Sequence, residues 1–250
     1  MLNSVIHGVP GSSFPLLIAH GLFGSARNWG AVAKRLSDRG QVTAVDLRNH
    51  GLSDWKDSQT YFDMADDLAT SLEQTSDVIG HSMGGKAAMV LALKYPEKLN
   101  KLIIADIAPV TYHHTQSHFI DAMRAVDLTQ VETRRDADEQ LKTDVSEDGV
   151  RAFLLQSLDV KEKKWRLNLD VLDAEMDKII GFPELDATPF EGPTLFLSGG
   201  DSDYVLSEHR EAIKSLFPKA RFAKIPNVGH WLHAENPRAF EANVRAFLDA

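Results

Sequence analysis

The chain has no cysteine, and this absence excludes disulfide bonds, thiolate catalysis and cysteine-ligated metal sites. It also has no apolar run near the roughly eighteen residues that a membrane span requires. Its N-terminus lacks the basic region, apolar core and small-residue cleavage site of a secretion signal. A cytoplasmic location is therefore the expectation.

Positive charge is scarce relative to negative charge. Lys and Arg number 27 against 36 Asp and Glu, which gives a formal net charge of −9. Such an excess of carboxylates repels nucleic-acid phosphates and anionic lipid headgroups. We therefore expect no nucleic-acid partner and no membrane partner, while the sequence sets no oligomeric state.

Short apolar runs alternate with helical patterns along most of the 250 residues. This alternation is typical of βαβ units and predicts an α/β fold whose mostly parallel sheet is flanked by helices. The length is sufficient for one domain with a sizeable core. Predicted strands cover 15–19, 41–45, 102–106, 194–197 and 221–225, a further strand contains Val78-Ile79, and predicted helices include 28–36 and 86–95.

The segment from 110 to 190 differs from the rest because it is polar and rich in charged residues. Helical patterns cover 150–158 and 169–180, and no strand-like run interrupts them. We predict that 110–190 form a helical cap inserted between two strands of a core made of 1–109 and 191–250. The cap is expected to cover the functional site.

The sequence Gly80-His81-Ser82-Met83-Gly84 follows a predicted strand and precedes a helical pattern. In this context Gly-x-Ser-x-Gly predicts a nucleophile elbow, a turn so sharp that the serine backbone is strained. The turn raises the Ser82 hydroxyl above the sheet edge and leaves the amide of Met83 at a helix N-terminus, where anions are favoured. Ser82 is therefore the predicted nucleophile.

A serine hydroxyl is a weak nucleophile and needs a base to accept its proton. Gly229-His230 follows the last predicted strand, so His230 is the predicted general base. The preceding glycine allows the backbone to bring the imidazole over the sheet edge. His81 adjoins Ser82, and His233 lies three residues after His230. Both are expected to pack rather than react.

The developing oxyanion needs hydrogen-bond donors. The loop His20-Gly21-Leu22-Phe23-Gly24 follows an early strand, and its glycines free the backbone to aim an amide at a carbonyl oxygen. We predict that the amides of Leu22 and Met83 form the oxyanion hole. Phe23 and Trp231 are candidates for the wall of an acyl-binding pocket.

These motifs together resemble the α/β-hydrolase superfamily over essentially the whole chain. The run Asp46-Leu47-Arg48-Asn49-His50-Gly51-Leu52-Ser53 adds to the resemblance, with Asn49 where many relatives have glycine. With Asp106-Ile107-Ala108-Pro109-Val110 and Gly229-His230-Trp231, this run is similar to the bacterial YbfF-type esterases. The resemblance implies hydrolysis of short acyl esters, or of acyl thioesters, without a cofactor.

A third residue, a carboxylic acid that orients the histidine, would complete a Ser-His-acid triad. The position of this acid does not follow the common superfamily pattern. The usual acid lies in a Gly-x-x-Asp-x-x-Val turn, but in the turn over 199–205 that position holds Ser202. Some superfamily members take the acid from the end of the strand after the elbow strand, where this chain has Asp106. Asp106 is therefore the favoured acid, Asp203 and Asp201 are the alternatives, and Ser202 is expected to hydrogen-bond to the acid or to the histidine.

The predicted function is hydrolysis of short-chain acyl esters through an acyl-enzyme intermediate, so the expected partner is a small acyl ester or thioester. An acyl-CoA thioesterase or acyltransferase is one alternative. A ligand-sensing receptor that retains the triad, as in certain plant hormone receptors that resemble this fold, is another. No metal is expected, because no suitably spaced carboxylate completes the i, i+4 pair His114 and His118.

Overall fold

The computed structural model describes residues 2–250 and is built around a central sheet of seven strands. In this part of the chain the strands are β1 (Ser4–His7), β2 (Leu16–Ala19), β3 (Val42–Val45), β4 (Ser76–His81), β5 (Leu99–Ala105), β6 (Leu158–Asp159), β7 (Lys164–Trp165), β8 (Thr194–Gly199) and β9 (Ala220–Ile225). The central sheet has the order β1-β3-β2-β4-β5-β8-β9. All neighbours in it run parallel except β1 and β3. The predicted mostly parallel α/β architecture is confirmed.

Helices cover both faces of this sheet. They are α1 (Gly30–Leu36), α2 (Tyr61–Ser71), α3 (Met83–Lys94), α4 (Ser117–Ala125), α5 (Arg134–Leu141), α6 (Asp148–Leu154), α7 (Leu169–Ala174), α8 (Met176–Ile180), α9 (Arg210–Leu216), α10 (Leu232–Glu235) and α11 (Pro237–Leu248). None of the helices in residues 2–250 combines the length and the apolar character that a membrane span demands.

The strand residues supply two hydrophobic cores, one on each face of the sheet. Successive side chains of a strand point to opposite faces. Val78 of β4 therefore packs with α2 and α3, while its neighbour Ile79 packs with Trp29 and with Phe240 of α11. Because β4 is covered on both faces, all six of its residues are buried.

The edge strand β1 was not predicted. It pairs antiparallel with β3, and three of its four residues are exposed. Ile6 is 58% exposed, so no buried apolar run marks this strand in the sequence.

The segment between β5 and β8 contains α4 to α8, as the helical pattern predicts, but differs in three details. The short antiparallel pair β6 and β7 interrupts the helices, so the expectation of no strand there was wrong. The helix predicted over 169–180 is broken at Glu175 into α7 and α8. The helix predicted over 150–158 ends at Leu154 and continues as a 3₁₀ turn over Leu155–Ser157.

The loop after β3 connects this inserted segment to the sheet. The amide of Gly51 donates to the carbonyl of Arg166 at 2.8 Å, and the amide of Asn168 donates to the carbonyl of Asn49 at 3.0 Å. Asn49 has φ 63°, in the left-handed region that asparagine tolerates better than most residues after glycine. This conformation explains why asparagine can stand where many relatives carry glycine.

The junction of β4 and α3 requires glycine at position 80, which supplies a test of the fold. A Cβ at Gly80 would lie 2.3 Å from the carbonyl oxygen of Gly84, a contact that neither backbone segment can relieve. We predict that Gly80→Ala lowers the free energy of unfolding by at least about 2 kcal/mol, the scale of core overpacking.

Gly30→Ala is the matched control, because a Cβ there meets no atom within 4 Å and φ is −55°. It should leave stability unchanged or raise it by up to about 1 kcal/mol, the helical preference of alanine over glycine. Urea unfolding followed by circular dichroism measures both variants. Equal stability of Gly80→Ala and the parent would contradict the steric argument.

Candidate active site

Ser82 lies at the turn between β4 and α3 in a strained backbone conformation, with φ 52° and ψ −121°. Its amide donates to the carbonyl of Ala105 at 3.0 Å, which ties the turn to the end of β5. A Cβ at Gly84 would lie 2.4 Å from the carbonyl oxygen of His20, so the chain approaches too closely for any other residue. This is the geometry that the glycine spacing predicts for an elbow.

His230 and Asp106 come together beside this turn, although 124 residues separate them. Nδ1 of His230 lies 2.8 Å from Oδ2 of Asp106. The carboxylate is fully buried and accepts two further hydrogen bonds, from the amide of Gly199 at 2.9 Å and from the hydroxyl of Ser202 at 2.5 Å. The interactions with His230, Gly199 and Ser202 offset the desolvation of the buried carboxylate.

The two alternative acids are placed differently. Asp201 and Asp203 are both exposed on the loop that follows β8. Among the residues that the structure describes, neither makes a hydrogen bond with His230. The geometry thus favours Asp106, and Ser202 is its hydrogen-bond donor.

Two aromatic side chains position the His230 imidazole and its backbone. The ring of Tyr204 stacks on the His230 ring with centroids 4.1 Å apart and planes 23° from parallel. Nε2 of His81 lies 2.9 Å from the carbonyl oxygen of His230, a hydrogen bond in which the imidazole N–H donates. The Tyr204 contact was not predicted, because a loop tyrosine carries no signal in the sequence that it will stack on a distant histidine.

His81 and His233 pack as expected, and burial keeps both neutral at pH 7. His233 stacks on Trp29 with centroids 4.0 Å apart, and its pKa is lowered to about 3, chiefly by burial. The pKa of His81 lies well below its usual value, first because of burial and then because of the neighbouring His230 and His233. Neither ring therefore places a positive charge beside Ser82.

The loop that follows β2 passes directly alongside Ser82. A Cβ at Gly21 would lie 3.1 Å from Cβ of Ser82. The amide of Phe23 donates to Nε2 of His50 at 3.3 Å, whereas the amides of Leu22 and Met83 donate to no acceptor in residues 2–250. The two amides predicted for the oxyanion hole are thus free to bind a ligand oxygen.

The loop is held in place by two buried histidines. Nε2 of His20 accepts from the amide of Leu47 at 2.9 Å, and the ring centroids of His20 and His50 lie 5.1 Å apart. Burial lowers the pKa of His50 to about 3 and also lowers that of His20. Both rings therefore act as neutral hydrogen-bonding supports of the loop.

A cavity of about 270 Å³ opens above Ser82 between the sheet edge and the inserted segment. Ser82 and His230 both line it, although no hydrogen bond joins their side chains within the described residues. Such bonds are often long in unliganded sites and tighten when substrate binds. The arrangement therefore places the predicted nucleophile, the predicted base and the two free amides around one cavity.

The walls of this cavity are mostly apolar and come from both parts of the chain. Phe23 and Trp231, the predicted wall residues, line it from the core. Phe119 of α4 meets Phe23 edge-on with centroids 6.5 Å apart, and Phe153 of α6 lies 5.4 Å from Trp231. Neither Phe119 nor Phe153 was predicted, because helical periodicity shows which face of a helix is apolar but not what it covers.

The two histidines considered for a metal site, His114 and His118, contact different residues. Nε2 of His114 lies 2.8 Å from the hydroxyl of Tyr204, and the His118 ring lies 3.9 Å from that of Phe119. In residues 2–250 no group of three histidine, aspartate or glutamate side chains has a metal-binding arrangement.

Comparisons with known proteins agree with this fold. Residues 15–237 match the family model described as the alpha/beta hydrolase fold. The sn-1-specific diacylglycerol lipase ABHD11 of Mus musculus is 42% identical over 247 residues, which cover 93% of this chain and 80% of the lipase. The esterase YbfF of Escherichia coli strain K12 is 38% identical over 240 residues, which cover 94% of this chain and 93% of the esterase. A solved marine microorganism esterase superposes with a TM-score of 0.93 at 36% identity and covers 98% of both chains.

Proposed function

Because the chain belongs to the α/β-hydrolase family, we propose that it is a serine esterase that hydrolyses short-chain acyl esters through Ser82, His230 and Asp106. Its relatives named esterase and lipase support the class of carboxylic ester hydrolase. The observation that carries the proposal is the 2.8 Å contact of His230 with buried Asp106 beside the strained Ser82.

The first step is acylation. Oγ of Ser82 attacks the ester carbonyl carbon while Nε2 of His230 accepts the hydroxyl proton. The amides of Leu22 and Met83 hold the oxyanion of the tetrahedral intermediate. When the intermediate collapses, His230 gives the proton to the leaving alcohol, and the acyl group stays on Ser82.

The second step is deacylation. His230 accepts a proton from water as the water oxygen attacks the acyl carbon, and the same two amides hold the second oxyanion. The proton then returns to Ser82 Oγ, and the carboxylic acid leaves. Asp106 keeps Nδ1 of His230 protonated and stabilises the imidazolium that forms in each step.

The preference for short acyl groups rests on the cavity. Its volume of about 270 Å³ is below the roughly 300–1,000 Å³ typical of drug-sized pockets. Phe119 and Phe153 of the inserted segment border it next to Phe23 and Trp231 of the core. We propose that the segment acts as a cap that limits acyl length.

The nucleophile assignment is tested by Ser82→Ala. The variant should fold but lose activity on p-nitrophenyl acetate by several powers of ten, because the attacking oxygen is absent. A serine-reactive phosphonate should add its mass to the parent protein and not to the variant, as measured by intact mass spectrometry. Labelling at another residue, or unchanged activity, would end the serine-hydrolase proposal.

The alternative functions are separated by the same substrates. Multiple turnover on p-nitrophenyl esters supports an esterase, and faster turnover on acyl-CoA than on the matching ester would favour a thioesterase. A single turnover with lasting occupancy of Ser82 would favour a ligand-sensing receptor. Transfer of the acyl group to an added alcohol in preference to water would favour an acyltransferase.

The acid assignment predicts unequal effects of two similar substitutions. Asp106→Asn should lower kcat by up to about 10⁴, because the imidazole loses the carboxylate that orients its tautomer. Asp203→Asn is the control and should cost far less, since an exposed carboxylate contributes only a screened field. Thermal melts separate loss of catalysis from loss of fold. A stable, active Asp106→Asn beside an inactive Asp203→Asn would transfer the role to Asp203.

The cap assignment predicts a change of selectivity. Phe153→Ala should raise kcat/KM for octanoyl relative to acetyl esters by about tenfold or more, because removing the ring opens space for several methylenes. Phe62→Ala is the control, since Phe62 is 40% exposed on α2 and does not line the cavity. An unchanged octanoyl-to-acetyl ratio in Phe153→Ala would remove α6 from the determinants of acyl length.

A further inference from the structure

Helix α3, which begins directly after Ser82, carries a buried lysine that no carboxylate neutralises within the described residues. Lys86 is 1% exposed, and its Nζ donates to the carbonyl oxygens of Val110 at 2.8 Å, Ile180 at 2.8 Å and Gly181 at 2.5 Å. An ammonium group has three N–H donors, so these three carbonyls use all of them.

A buried ammonium is unfavourable unless every donor is satisfied. Burial lowers the pKa of Lys86 to about 7, and the ring of Tyr112 lies 4.7 Å from Nζ, with the ring of Tyr61 at 5.8 Å. Methionine would fill the same volume without the desolvation of a charge. The interactions that Lys86 makes with its partners therefore distinguish it from a residue that only fills space.

The three acceptors lie at the two ends of the inserted segment. Val110 stands five residues after the end of β5, where the segment begins. Ile180 is the last residue of α8, and Gly181 follows it, so their carbonyls are those that a helix C-terminus leaves unpaired. One side chain on α3 thus binds the entrance and the exit of the segment together.

This position also borders the candidate acyl cavity. Lys86, Tyr112, Ile179 and Ile180 line the same cavity as Ser82. The hydroxyl of Tyr61 donates to the carbonyl of Ile179 at 2.5 Å, so the exit is held from α2 as well. A shift of either end would therefore move a wall of the cavity.

We propose that Lys86 is a positioning residue that fixes both ends of the inserted segment above Ser82 and so sets the size of the acyl-binding space. Its effect on acyl selectivity rests on the proposed esterase function, whereas its effect on the segment does not. Lys86 is assigned no part in proton transfer, because backbone carbonyls occupy all three of its donors.

The test replaces Lys86 by methionine, which keeps the length of the stem and removes all three donors. Lys94→Met is the matched control on the same helix, because Lys94 is partly exposed and binds Asp66 at the surface. Lys86→Gln keeps an amide donor and is the second variant should Lys86→Met fail to fold. All are made with Ser82 intact and again with Ser82→Ala.

Hydrogen exchange of the Ser82→Ala series reports on the segment without reference to activity. Lys86→Met should speed amide exchange in 110–116 and 176–190 by about tenfold or more, as expected when hydrogen bonds to a charged group are lost. Exchange in β4 and β5 should stay unchanged, and Lys94→Met should match the parent throughout. Uniformly faster exchange of the whole domain would overturn the proposal in favour of a general role in stability.

The series with Ser82 intact reports on selectivity. Lys86→Met should change the octanoyl-to-acetyl ratio of kcat/KM by about fivefold or more, mainly through KM for the longer ester, because a mobile wall alters binding rather than chemistry. An unchanged ratio, or equal loss on every ester, would overturn the effect on acyl selectivity. A third outcome separates the two proposals. If the parent protein hydrolyses no ester, but Lys86→Met still speeds exchange at both ends of the inserted segment, the proposed function is wrong and the positioning role of Lys86 is retained.

Discussion

The backbone at Ser82 turns from β4 into α3 within one residue, and the arrangement of the site depends on that turn. The required approach of Gly84 to the carbonyl of His20 leaves room for no side chain there. Because this contact also joins the elbow to the loop after β2, the same constraint brings Met83 and Leu22 to the cavity that Ser82 lines. Backbone strain at φ 52° is therefore offset by packing and hydrogen bonds of the surrounding core.

The end of β5 imposes the second constraint, through a buried carboxylate. Asp106 also has a left-handed backbone, with φ 52°, and is fully buried, so its oxygens need donors from elsewhere in the fold. Gly199 supplies one donor from the end of β8, and Ser202 supplies another from the loop that follows, the loop that holds the acid in many relatives. Ser202 thus donates to a carboxylate at the end of the neighbouring strand β5, and the same carboxylate contacts His230.

Sequence patterns predicted the features that depend on neighbouring residues in the chain. Alternating apolar runs predicted the parallel strands, and the Gly-x-Ser-x-Gly spacing predicted the turn at Ser82, because both depend on residues adjacent in sequence. The exposed edge strand β1 has no buried run, so it was missed. Tyr204, Phe153 and Lys86 act on groups far away in sequence, and their roles follow only from how the inserted segment and the loops pack. The proposed acid was only partly predictable. The turn pattern showed that the usual acid position holds a serine, but it did not show which carboxylate reaches His230.

The histidines that surround Ser82 and His230 are neutral at pH 7, and this affects how the site stabilises charge. Burial lowers the pKa of His20, His50, His81 and His233, and burial raises that of Tyr204 to about 12. A positive charge that develops on His230 is therefore opposed by no neighbouring imidazolium at pH 7, and it lies 2.8 Å from Asp106. Coulombic attraction is stronger in apolar, water-poor surroundings than in water. The buried histidines thus contribute to the proposed mechanism by remaining uncharged. A positive imidazolium beside His230 would repel the charge that forms there and oppose the attraction of Asp106.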